Sequence, residues 1–154
     1  MAGSLIALFF VCLVSLAAIY RFLPGLIFDF SIRVAQWRAG LQKENIIVDG
    51  QPITYFIGGK GEPLLLLHGF GADKTNWMMI APFLASQYRL VIPDLPGFGE
   101  SAFLSQKTYS AKEQVNTLAA FIEKLGFDKI HVGGNSMGGY FAAKLAEKLH
   151  DRVD

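Results

Sequence analysis

The stretch Gly134-Asn135-Ser136-Met137-Gly138 sets one hydroxyl between two glycines, each two positions away. That spacing suits a serine nucleophile on a sharp strand-to-helix turn, where side chains two positions either side would collide and glycine removes the collision. Upstream, Ile130–Val132 predicts a short strand ending in Gly133-Gly134; downstream, Met137–Leu149, rich in Ala, Leu, Lys and Glu, predicts a helix. Ser136 is then expected at the N-terminus of that helix, whose dipole favours the negative charge that develops on attack. The competing reading is a glycine-rich turn whose serine merely caps the helix.

Acyl transfer also needs two backbone N–H groups directed at the oxyanion, one from the residue after the nucleophile and one from the loop after the third strand. Met137 follows Ser136, and Phe70 stands in Leu67-His68-Gly69-Phe70-Gly71, where a leucine run ends. Gly69 and Gly71 let that loop bend close to the site. His68 is a tempting general base, but it precedes the serine and leads into the loop, so a structural role is expected. A third string, Asp94-Leu95-Pro96-Gly97-Phe98-Gly99-Glu100-Ser101, lies in an irregular stretch from Pro93 to Tyr109, longer than the usual connection.

These residues need a rigid frame. Asn45–Val48 and Ile53–Ile57 flank Asp49-Gly50 and predict a hairpin. Leu64–Leu67 has no polar face, so it predicts a strand buried on both sides, as central parallel strands are. Asn76–Leu84 predicts a helix weakened by Pro82, and Arg89–Ile92 another buried strand. Ser110 with Glu113 forms a capping box for a helix whose apolar stripe is Val115, Leu118, Ala119, Ile122 and Leu125 and which stops at Gly126. Strands alternating with helices predict an α/β fold with a mostly parallel sheet and helices on both faces.

Of 154 residues, 52% are hydrophobic and 16 are glycine, which excludes disorder; a net charge of +1 provides no basic field for nucleic acid. The single cysteine, Cys12, permits neither an internal disulfide nor a cysteine-based metal site. From Ser4 to Leu23 the only charge is Arg21, and at about 1.5 Å per residue the run matches a hydrocarbon core of about 30 Å. Residues 1–23 therefore read as a transmembrane anchor; the alternative is a cleaved signal peptide, which lacks its basic leader here. Arg21, Arg33, Arg38 and Lys43 follow the run and no basic residue precedes it, which places the body of the protein on the cytoplasmic side. After Pro24-Gly25, residues 24–43 predict an amphipathic interfacial helix with Ile27, Phe30, Val34, Trp37 and Leu41 as its stripe, lying in a membrane interface; the alternative is a stripe packed on the globular part.

Taken in order, His68-Gly69-Phe70-Gly71, Asp94–Ser101 and Gly134-Asn135-Ser136-Met137-Gly138-Gly139 closely resemble the α/β-hydrolase superfamily, over residues 45–154. The resemblance implies Ser136 as nucleophile, Phe70 and Met137 as oxyanion donors, and Asp94 with Gly97 and Gly99 as a structural turn after the fourth strand. An N-terminal span before this core looks like membrane-anchored monoacylglycerol lipases and bacterial lipases, which implies a lipid or other ester substrate at a membrane, with no cofactor or metal. The elbow string is also similar to that of carbon–carbon bond hydrolases of ring-cleavage products, while Ser136 speaks against dehalogenases, which use aspartate there. In the superfamily the triad acid and histidine follow later strands. Residues 44–154 are thus expected to be a hydrolase core that stops before its sixth strand, with the acid, base and lid outside it. His131 is expected to pack mid-strand in the core, His150 sits at a helix C-terminus, and Asp128 opens a strand, so none is nominated as acid or base. This chain alone is expected to be inactive, a fragment or a membrane-tethered remnant, with the outer edge of its last strand uncovered.

Overall fold

The computed structural model describes residues 2–153. They form two compact units, one running to Val34 and the other beginning at Ala35.

In the first unit, α1 (Ala2–Phe22) is an apolar helix; its Gly3–Phe22 stretch has a mean hydropathy of 2.4 and is long and apolar enough to cross a membrane. Helix α2 (Pro24–Arg38), whose last turn from Ala35 belongs to the second unit, starts at a proline, which suits a first helical position because no N–H is needed there. Ile27, Phe30, Val34 and Trp37 of the expected stripe are all exposed. The helix stops at Arg38, short of the expected limit, because Gly40 adopts φ 61° and turns the chain; Leu41 is therefore buried outside the helix rather than continuing its stripe.

The second unit is built on one sheet in the order β1-β2-β4-β3-β5, comprising β1 (Gln42–Val48), β2 (Gln51–Gly59), β3 (Glu62–Leu67), β4 (Tyr88–Pro93) and β5 (His131–Gly134). The sheet is mixed: β1–β2 and β2–β4 are antiparallel, β4–β3 and β3–β5 parallel. The hairpin turn is Asp49-Gly50, with both residues at positive φ (49° and 77°), as a two-residue turn matched to strand twist requires.

Helices fill the crossovers. Between β3 and β4 the chain makes a 3-10 turn, Lys74–Trp77, capped by Asp73, and then a single turn, α3 (Ala81–Leu84). The expected continuous helix over 76–84 does not form: Pro82 has no N–H to donate, and its ring would collide with the carbonyl four residues earlier. Helix α4 (Ala111–Lys124) links β4 to β5, and α5 (Met137–Lys148) follows β5. Ser110 accepts the Glu113 N–H at 3.3 Å, but the Glu113 carboxylate accepts from Thr108 Oγ1 at 2.7 Å, so the box is half made. The core joins Val115, Leu118, Phe121 and Ile122 of α4 with Ile53, Leu65, Leu67 and Val91 of the sheet and Phe141 and Leu145 of α5. Burying each large side chain stabilises by about 1.5–3 kcal/mol. Leu66, Leu90 and Ile92, which alternate with these along the strands, are also buried. Strands β3 and β4 are thus fixed from both faces, whereas β5 has no fully buried residue of its own.

In the expected edge strand Ile130–Val132, the residue just before β5 is covered, against expectation. Ile130 is 1% exposed, donates its N–H to the Arg152 carbonyl at 2.8 Å and forms a parallel bridge with Val153.

Candidate active site

Strands β3 and β5 pair in parallel from Leu64↔His131 to Leu67↔Gly134, so their carboxyl ends leave the sheet side by side. Asn135 extends the ladder by donating to the Leu67 carbonyl at 3.0 Å. The chain then reverses within one residue. Ser136 has φ 52° and ψ −116°, a conformation that costs a residue with a β-carbon about 1–3 kcal/mol. The surrounding turn over-determines it: Gly138 donates to the Asn135 carbonyl at 2.8 Å and Tyr140 to the Ser136 carbonyl at 3.2 Å. A β-carbon at 134 would fall on the Gly138 carbonyl, and one at 138 on the Leu67 carbonyl, which is why both positions are glycine.

Ser136 is exposed and makes no capping hydrogen bond, unlike a serine present only to cap a helix. Among the described residues its hydroxyl has no hydrogen-bond partner, and neither has the N–H of Phe70 or Met137. The two loops are in contact: a β-carbon on Gly69 would lie 3.4 Å from Ser136 Cβ and 3.1 Å from Asn135 Oδ1. An exposed hydroxyl thus stands at the start of α5, next to Met137 in the chain and against the loop that carries Phe70, and the N–H groups of those two residues are unpaired among the described residues. Such an arrangement can attack an acyl carbon and hold the resulting oxyanion.

His68 is fully buried, and its ring is committed on both sides. Nε2 accepts the Leu95 N–H at 3.0 Å, so Nδ1 carries the proton and donates it to the Gly69 carbonyl at 2.8 Å. This ties the loop holding Phe70 to the loop after β4. Phe70, 81% exposed, meets the Phe98 ring edge-on at 5.6 Å, and Phe98 meets His68 at 5.7 Å.

A second tie is stronger. Asp94, fully buried, accepts the Lys74 N–H on Oδ1, and the Lys74 ammonium and Glu100 N–H on Oδ2, each at 2.7 Å. Its own carbonyl accepts from Ser101 Oγ at 2.8 Å. Gly99, at φ 51°, has no room for a side chain, since its β-carbon would fall on the Asp94 carboxylate; a β-carbon on Gly97, at φ 83°, would press on the Tyr109 ring at 3.1 Å. Sequence reasoning missed Lys74, because a lysine in a loop reads as solvated. Here it is 3% exposed, with Nζ 5.3 Å from the Phe56 ring centroid. Glu100 stands at the rim, its carboxyl held below the usual carboxylate range first by the hydrogen bond from Lys43 and then by Lys74, against partial desolvation.

The other acid–base candidates lie elsewhere. His131 does not pack in the core: it is at the start of β5, half-exposed, 2.9 Å from Glu62 Oε2, because β3 presents Glu62 at that end of the sheet. His150 is exposed beyond α5, 3.3 Å from Asp151. Asp128 precedes β5 in a bend rather than opening it. Among the described residues no three His, Cys, Asp or Glu side chains are assembled as a metal site would need.

A sequence model of the alpha/beta hydrolase fold family matches residues 62–154. Lipase 1 of Psychrobacter immobilis is 42% identical over 109 residues, covering 69% of this chain and 34% of the lipase. A 2-hydroxy-6-oxo-6-phenylhexa-2,4-dienoate hydrolase of Burkholderia cepacia is 35% identical over 99 residues, covering 62% of this chain and 35% of that enzyme. The crystal structure of a membrane phospholipase A described as a bacterial virulence factor superposes with a TM-score of 0.78 at 37% identity, over 99% of this chain and 50% of that one. The chain spans about a third of the length of these curated relatives.

Proposed function

This chain belongs to the α/β-hydrolase fold family, and on that premise we propose that it carries the nucleophile and oxyanion hole of a serine hydrolase acting on carboxylic esters of lipids at a membrane. The observation that carries the reading is the Ser136 hydroxyl, held at φ 52° against the loop of Phe70 and next to Met137, with neither the hydroxyl nor those two N–H groups partnered among the described residues. In the step proposed, Ser136 Oγ bonds to the ester carbonyl carbon and its proton passes to a general base. The carbonyl oxygen becomes an oxyanion between the two N–H groups, and the alcohol leaves with a proton; water then releases the acid. The lipase relative and the membrane phospholipase A neighbour support an ester of a lipid as substrate. Helix α1 supports a membrane anchor, with the basic residues after it favouring a cytoplasmic body; resistance to alkaline-carbonate extraction, with an intact N-terminus, separates an anchor from a cleaved signal peptide.

The test is labelling by a fluorophosphonate probe together with hydrolysis of a monoacyl ester, on the gene product as its organism makes it and on residues 1–154 alone. Ser136→Ala abolishes both in the former; full activity in that variant would sink the reading. Residues 1–154 alone are expected not to label, because none of His68, His131 and His150 is placed to take the Ser136 proton. The Burkholderia cepacia relative favours a second reading, hydrolysis of a carbon–carbon bond in a soluble diketone. Turnover of such ring-cleavage products with none of esters selects it.

A further inference from the structure

The parallel strands have a second end. Gly59 pairs with Arg89 at the start of β4, and Glu62 pairs with Tyr88, so Gly59 and Lys60 lie where β3 and β4 begin. Six residues of strand, about 20 Å, separate that end from the one bearing Ser136.

A groove of about 600 Å³ opens there, its lining including Trp37, Arg38, Gly40, Lys60, Ala85 and Ser86. Its floor is closely packed backbone. Lys60 donates its N–H to the Ala85 carbonyl at 3.1 Å, a β-carbon on Gly58 would strike the Gly40 carbonyl, and one on Gly59 would come within 2.9 Å of the Ala85 carbonyl. Such a floor keeps its shape when a ligand binds. The only charged residues lining the groove are Arg38 and Lys60, both cationic, and neither forms an ion pair among the described residues. Trp37 is 80% exposed beside them.

We propose that this groove binds the headgroup of an anionic phospholipid of the bilayer. The phosphate would sit between Arg38 and Lys60, and the indole of Trp37 would lie at headgroup depth, where amphipathic aromatic rings are favoured. The charge lining the groove is wholly complementary to such a headgroup. A bilayer is favoured over a soluble anion because a large exposed indole at the same site is stabilised by lipid and not by water. The site rests on the reading of α1 as a membrane anchor, since α2 carries the chain directly from that helix to Trp37 and Arg38.

The test uses the full chain with Ser86→Cys carrying an environment-sensitive nitrobenzoxadiazole dye, and Cys12→Ser so that the label is unique. It is reconstituted into vesicles of phosphatidylcholine, alone or with increasing phosphatidylglycerol. The dye is expected to shift to the blue only as phosphatidylglycerol is added. The fraction needed for half the response should rise about five-fold with Arg38→Gln or Lys60→Gln, and about 25-fold with both. Identical spectra in neutral and anionic vesicles, from a chain that resists carbonate extraction, overturn the groove proposal and leave the anchor standing. A chain that carbonate strips from the vesicles overturns both. A blue shift produced by inorganic phosphate without vesicles overturns the assignment to lipid.

Discussion

Replacing Lys74 by methionine keeps the length of its stem and removes only the ammonium. The partner is a carboxylate with no exposure, held at 2.7 Å, and Lys74 itself is only 4% exposed along its side chain. Stripping one member from such a pair leaves an uncompensated buried charge, which costs about 3–5 kcal/mol. The pair also tethers the loop that follows Phe70, because Asp94 accepts both the ammonium and the backbone N–H of Lys74. For a globular unit of about 120 residues, thermal unfolding should fall by roughly 10–20 °C, followed by circular dichroism in detergent. Lys43→Met is the control: its pair with Glu100 is half-exposed on both sides, at 3.0 Å, and is worth under about 1 kcal/mol. Combining Lys74→Met with Asp94→Leu should not restore stability, although apolar replacement of buried pairs often does. Asp94 also receives the N–H groups of Lys74 and Glu100, and orphaning each costs about 1–3 kcal/mol. A loss for Lys74→Met no larger than that of the control would refute this reasoning.

Ser136→Gly should raise the unfolding free energy by about 1 kcal/mol while abolishing fluorophosphonate labelling of the native gene product, since glycine adopts φ 52° freely; a less stable variant would show that the turn is not strained. Gly134→Ala should destabilise by about 1–3 kcal/mol and end labelling, because its β-carbon falls on the Gly138 carbonyl; denaturant titration of a variant matching wild type would contradict it. Glu100 has a lowered pKa, chiefly through Lys43, so its contribution to stability is present above the ordinary carboxylate range and is lost as pH falls through the lowered value. Glu100→Gln should therefore be less stable than wild type near neutrality and converge with it in acid, and a constant difference at all pH values would exclude that linkage.

The elements that position Ser136 were legible because each is a local decision. Four leucines in a row have no polar face and suit a strand buried on both faces, Asp49-Gly50 supplies two residues that tolerate positive φ, and Gly134 and Gly138 mark a turn with no room for side chains. Where the local signal was incomplete, the reading failed for reasons visible in the structure. Gly40 ends α2 before Leu41, and Pro82 splits one expected helix into a 3-10 turn and a single α turn. Phe121 was absent from the α4 stripe, yet it is fully buried because Tyr55, sixty-six positions earlier, brings a ring edge to it at 5.2 Å.

The spacing of glycines around Ser136 was determined by the sequence itself, since steric exclusion within five residues does not depend on the rest of the chain. The tautomer of His68 and the burial of Lys74 were not, because each is set by a partner about twenty or more residues away: Leu95 for the histidine, Asp94 for the lysine. The same holds for the site as a whole. Phe70 and Ser136 meet only because β3 and β5, with β4 and its helices between them in the chain, pair in parallel and in register. That register is a tertiary decision: shifting it by one residue would turn the buried leucines of β3 to the opposite face and carry the two loops apart.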